Sequence, residues 1–99
     1  MAVPGKGPSR YSEETQASAA TLARPSSDIV KITGTTQIDT IPPPFGGQFG
    51  CRITIICVDG NVVLSTAGNM LVGITAAQNR ATDLQWVKSL QKWAIESGV

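Results

Sequence analysis

The chain has 99 residues, eight of them basic and seven acidic, with no histidine, two cysteines and a net charge of +1. That length bounds it to one domain, and a near-neutral balance argues against a dedicated DNA- or RNA-binding face, where basic side chains supply most of the affinity. Lys6 and Arg10 precede no apolar run of the secretory type, and no stretch approaches the ~20 apolar residues of a membrane span. Neither a nucleic-acid nor a membrane partner is expected.

Residues 1–28 differ from the rest. Pro4, Gly5, Gly7 and Pro8 open the chain, small polar residues follow, and Val3, Tyr11 and Leu22 are nearly the only large apolar groups. Such composition offers little apolar surface to offset the entropy of ordering, so the reading is a flexible N-terminal arm. Ser12 as N-cap, Glu13 and Glu14 at the positive end of a helix dipole and an Ala-rich run stopping before Pro25 allow a short helix over 13–23. Within the arm, Tyr11 and Leu22 are isolated apolar anchors suited to insertion into a neighbour, with Arg10 and Arg24 as polar contacts beside them.

From Asp28 onward β-branched residues alternate with turn signals, the pattern of an all-β body over 29–99. Ile29 to Thr33 reads as a first strand, Gly34 as a corner, and Thr35 to Ile41 as a half-buried second piece ended by Pro42, Pro43 and Pro44. Phe45 to Gly50 is a glycine-rich loop with two aromatics. Arg52 to Val58 is the strongest strand, apolar enough to be covered on both faces. Asp59-Gly60-Asn61 suggests a hairpin turn into Val62 to Leu64, and Ala67-Gly68-Asn69 a further turn before Met70 to Ile74. Periodicity leaves the last segment open between helix and strand. The favoured reading is two strands, Leu84 to Lys88 and Trp93 to Ser97.

A body of roughly 70 residues rarely secures more than ~3 to 5 kcal/mol from its core alone and commonly leans on disulfides, a metal or oligomerisation. Cys51 and Cys57 share a strand face ~20 Å apart, beyond disulfide reach, and without histidine they cannot complete a zinc site unaided. Between Ile29 and Ile74 only Lys31, Asp39, Arg52 and Asp59 carry full charge. Oligomerisation is therefore the expected staple, with Ile32, Ile38, Ile41, Ile53, Ile55, Val62, Leu64, Trp86 and Trp93 as core or subunit-interface residues. No catalytic residue, cofactor or metal ligand is expected. Histidine is missing as a base, the Ser89-x-x-Lys92 spacing lacks its companion motifs, and Asp39 and Asp59 sit where turn aspartates are common.

The run Asp28 to Ile41, Asp-Ile-Val-Lys-Ile-Thr-Gly-Thr-Thr-Gln-Ile-Asp-Thr-Ile, resembles a pattern of bacteriophage virion proteins. In that pattern a Gly-rich loop, an apolar strand, a hairpin, an Asn-x-Leu element and a closing Asp-x-Leu and Lys-Trp strand pair follow. Here those parts are Gly50 to Val58, Val62 to Ser65, Asn69 to Leu71, and Asp83-Leu84 with Lys92-Trp93. The resemblance implies a compact β-sandwich, barrel or short β-helical module that assembles as a trimer on the virion. A short arm in place of a long fibre implies a non-enzymatic capsid decoration (cement) protein, made in the host cytoplasm and bound to the major capsid protein at the outer shell. A small tail, collar, head-fibre or spike component is the alternative. A carbohydrate-binding module, with Trp86, Trp93 and Tyr11 as stacking platforms, is a second.

Overall fold

Period-2 alternation of apolar and polar residues builds strands with one wet and one dry face, and the chain uses this device in most of its strands. The computed structural model describes residues 12–48 and 50–97, the side chains of Phe45 and Ser97 excepted. It is a compact, nearly all-β domain, with no α-helix among the described residues. The strands are β1 (Glu13–Ala17), β2 (Ile29–Thr33), β3 (Arg52–Cys57), β4 (Val62–Leu64), β5 (Ile74–Ala76), β6 (Ala81–Val87) and β7 (Lys92–Ser97), with one 3-10 turn at Pro44–Gly47.

A five-stranded sheet in the order β1-β2-β3-β6-β7 forms one layer, and β4 pairs with β5 in a second, two-stranded sheet. The first three strands are parallel: Glu13 lies beside Ile29, and Ile29 beside Thr54. Isolated parallel bridges join Thr21 to Thr40 and Ile38 to Leu64. The chain thus winds as a short coil whose successive turns stack in the same direction. The antiparallel strands β6 and β7 then close the sheet on the far side of β3.

The inward face carries Val30 and Ile32 from β2, Ile53, Ile55 and Cys57 from β3, Thr82, Leu84 and Trp86 from β6 and Trp93 from β7, all buried. Val62 and Leu64 from β4, with Ala76 from β5, are buried in the same cluster, as are Ile38, Ile41 and Met70 from the connections. Burying a side chain of this size contributes about 1.5 to 3 kcal/mol, so the cluster is the dominant stabilising feature.

Several expectations are corrected. The helix expected over 13–23 is instead strand β1 followed by irregular chain. The Ala-rich run is too short to hold a helix by propensity alone, whereas β1 gains a ladder along β2 and side-chain ties to the segment that follows it. Residues 12–28 therefore lie against the body, and residues 1–11 of the expected arm lie outside the described residues. The hairpin expected at Asp59-Gly60-Asn61 does not form, because β3 is flanked by β2 and β6 and leaves no edge for β4. The chain instead changes layer there, with Asp59 accepting the Gly34 N–H at 2.7 Å and Asn61 accepting the Gln78 N–H at 2.8 Å.

Thr35 to Ile41 is extended but makes only isolated bridges, and the strand expected over Met70 to Ile74 is displaced to β5. The polar stretch from Thr75 to Thr82 contains most of β5 and the start of β6. On β3 burial alternates, so its outer face is half-open rather than covered. The closing strand pair is present, with β6 starting three residues earlier than expected.

Candidate functional site

Two separated parts of the sequence, at Asn69 and Trp93, converge on the backbone of Ile41. Asn69 lies in the turn before Met70, and its side chain acts like a strand edge: Oδ1 accepts the Ile41 N–H at 3.0 Å and Nδ2 donates to the Ile41 carbonyl at 2.7 Å. Trp93 Nε1 donates to the same carbonyl at 2.9 Å, and the Trp93 N–H donates to the Asn69 carbonyl at 2.8 Å. Trp86 meets Trp93 edge-to-face, with ring centroids 5.2 Å apart, and donates its own Nε1 to the Gly47 carbonyl at 3.2 Å. Gly47 has a φ of +81° and a Cβ there would sit 3.0 Å from the Trp86 ring nitrogen, so the approach requires glycine. The Pro-rich strap 41–47 is thereby fixed over the two indoles.

The sequence-predicted residues fall into two groups. Ile32, Ile38, Ile41, Ile53, Ile55, Val62, Leu64, Trp86 and Trp93 are all brought together, buried within a single chain. None of them is at the surface, so none is available as a subunit interface, and the core closes without a partner. Burial of both indoles also removes Trp86 and Trp93 as sugar-stacking platforms.

The arm residues are dispersed. Leu22, expected as an anchor for a neighbour, is 2% exposed and belongs to the chain's own core. Arg24 is exposed and donates to the Pro43 carbonyl. Arg10 and Tyr11 lie outside the described residues.

Two surface features among the described residues are a cleft and an outward sheet face. A cleft of about 450 Å³ is lined by Ser12, Pro25, Ser26, Ser27, Asp28, Pro44, Cys51, Arg52 and Ile53. The outward face of the five-stranded sheet is the other. Across it Lys31 pairs with Glu13 at 3.4 Å, Arg52 with Glu96 at 2.8 Å, and the Thr54 hydroxyl donates to Asp83 at 2.8 Å. Periodicity along each strand makes these outward positions readable from sequence, but the cross-strand partners required the register.

Cys51 and Cys57 point to the same inward side of β3 and are free thiols. Desolvation pushes both thiols above their ordinary range, so the nucleophilic thiolate is scarce at neutral pH. Among the described residues no cluster of three or more cysteine, aspartate or glutamate side chains is placed to hold a metal ion. No protein-family model, curated protein or solved structure matches the chain.

Proposed function

We propose that this chain is a non-enzymatic structural protein of a tailed-bacteriophage virion, a capsid decoration protein that self-associates as a trimer and binds the major capsid protein at the outer shell. The observation that carries the reading is the convergence on Ile41. The Ile-x-x-Ile, Asn-x-Leu and Lys-Trp elements of the virion pattern, far apart in sequence, meet in one hydrogen-bonded node. That these residues act together in one part of the core is what supports the reading. In this reading Arg24, an exposed cation, is among the contacts to the shell. A small tail, collar, head-fibre or spike component would use the same module at another place on the particle.

Immunogold labelling of particles released from the source strain, with antibody raised against this chain, tests the proposal directly. Regularly spaced gold over the head is the expected result. Gold confined to the tail or collar selects the alternative, and particles without gold remove both.

A further inference from the structure

The chain has four aspartates, Asp28, Asp39, Asp59 and Asp83, and each is followed by a peptide nitrogen able to close a five-membered imide ring on the aspartate's own carboxyl. Adjacency makes that ring closure an intramolecular step, so access to the nitrogen decides which aspartate reacts. At three of them the nitrogen is occupied. The Ile29 N–H after Asp28 donates to the Ser12 carbonyl at 3.1 Å, and the Thr40 N–H after Asp39 donates to the Ala20 carbonyl at 3.0 Å. Leu84, after Asp83, lies in β6 with a strand on either side. All three of these following residues also carry a branched side chain beside the nitrogen. Asp59 differs. It is exposed in the bend after β3, the next residue is Gly60, and the Gly60 N–H has no hydrogen-bond partner among the described residues.

The Asp59 carboxyl is also held in place. Its Oδ2 accepts the Gly34 N–H at 2.7 Å, which sets a donor on the oxygen where negative charge grows as the nitrogen adds to Cγ. We propose that Asp59-Gly60 is a site of spontaneous aspartyl isomerisation in the folded protein, independent of where the chain acts. The Gly60 nitrogen bonds to the Asp59 Cγ, and Oδ1 leaves as water with the nitrogen's proton and one from solvent. The succinimide so formed keeps Oδ2 on Gly34. Water then cleaves the ring at the Asp59 main-chain carbonyl: its hydroxyl goes to that carbon, its proton returns to the Gly60 nitrogen, and the new carboxyl releases a proton to solvent. The product has unchanged mass, but its chain runs through Cβ and Cγ and its free carboxylate sits on Cα. The tie from Asp59 to Gly34, which joins the corner after β2 to the bend before β4, is thereby undone.

Prolonged incubation of the full chain at neutral pH with mild warming, followed by proteolytic mapping, tests the site. An isoaspartyl peptide keeps its mass but shifts in retention and gives a distinct electron-transfer fragment pattern. The expected result is isoaspartate accumulating at Asp59 and not at Asp28, Asp39 or Asp83. Asp59→Glu retains a carboxylate but requires a six-membered ring, so the shifted peptide should not form; its appearance in that variant would assign the shift to another residue and overturn the proposal. Isoaspartate at Asp59 only in chain unfolded by guanidinium overturns it as well, because the fold then shields the site. Equal accumulation at the other three aspartates removes the argument from their bonded nitrogens. The isomerised chain, separated from the unmodified one, should unfold at a lower urea midpoint, and an equal midpoint overturns the consequence assigned to the Gly34 tie.

Discussion

Asn69 does with one side chain what a neighbouring strand would do with a peptide unit, bonding both the N–H and the C=O of Ile41. Asn69→Ala removes a donor and an acceptor at a part-buried site and should lower unfolding stability by about 2 to 3 kcal/mol, read from urea denaturation. Thr82 presents the opposite case. It is fully buried opposite Ile55, and its hydroxyl has no hydrogen-bond partner. Thr82→Val replaces that hydroxyl by a methyl of similar shape, so the same assay should show unchanged or higher stability, by up to about 1 kcal/mol. At Glu14 desolvation raises the carboxyl pKa, but bonds from Gln16, from the Ser26 N–H and hydroxyl and from Ser27 outweigh it and leave it below the ordinary 4.5. At Asp39 hydrogen bonds from Ser65 and then Gln37 hold the carboxyl below 3.8 against weak desolvation. Both folded values are depressed, so their stabilisation is complete above the ordinary values and is lost as pH falls through the lowered ones. Thermal unfolding should therefore be flat near neutrality and drop below about pH 4, with a shallower drop for Glu14→Gln.

Residue type and period made β2 and β3 readable, because Val30 and Ile32, like Ile53, Ile55 and Cys57, alternate with residues of the outer face. The edge strand β1 was not readable. Its sequence Glu-Glu-Thr-Gln-Ala lacks apolar alternation, and its conformation comes from the β2 ladder and from bonds of Gln16 to Ala23 and of Glu14 to Ser26. The false hairpin at Asp59 has a related cause: the turn residues are present, but pairing is decided by which edges of β3 are already occupied. Of the node at Ile41, the participating residue types were visible in order, while their meeting point depends on chain reversals that no local signal encodes. The place of β1 has a direct consequence. A chain lacking residues 1–24 loses β1 and the buried Leu22, and relative to one beginning at Ser12 its unfolding free energy from denaturant titration should be lower by at least about 2 to 5 kcal/mol, the cost of losing a buried leucine alone.

At the scale of the whole molecule, burial of Trp86, Trp93 and the Ile-rich strands in one chain gives the subunit a closed core of its own. The inward face carries the stability of the chain, whereas the outward face holds its charges in cross-strand pairs at the surface. Substitutions on the two faces should accordingly differ in experiment, inward ones lowering the unfolding midpoint of the isolated chain far more than outward ones.

The parallel stacking of β1, β2 and β3 also dictates the order in which the chain can acquire structure. A parallel pair cannot be joined by a tight turn, so β2 and β3 must find one another across the Pro-rich strap, and β3 must find β6 across the whole second layer. Closing such loops costs entropy before any contact rewards it, which places folding in the slow millisecond-to-second class of small β proteins. One pair escapes this cost: β6 and β7 are antiparallel and separated by the short turn Lys88 to Gln91, which Gln91 closes by donating its N–H to Val87 at 2.9 Å. That hairpin is the natural nucleus on which the coil is laid down. In stopped-flow refolding, a mild truncation at the Trp86–Trp93 pair should slow folding nearly as much as it lowers stability, whereas Val30→Ala on β2 should act chiefly by accelerating unfolding.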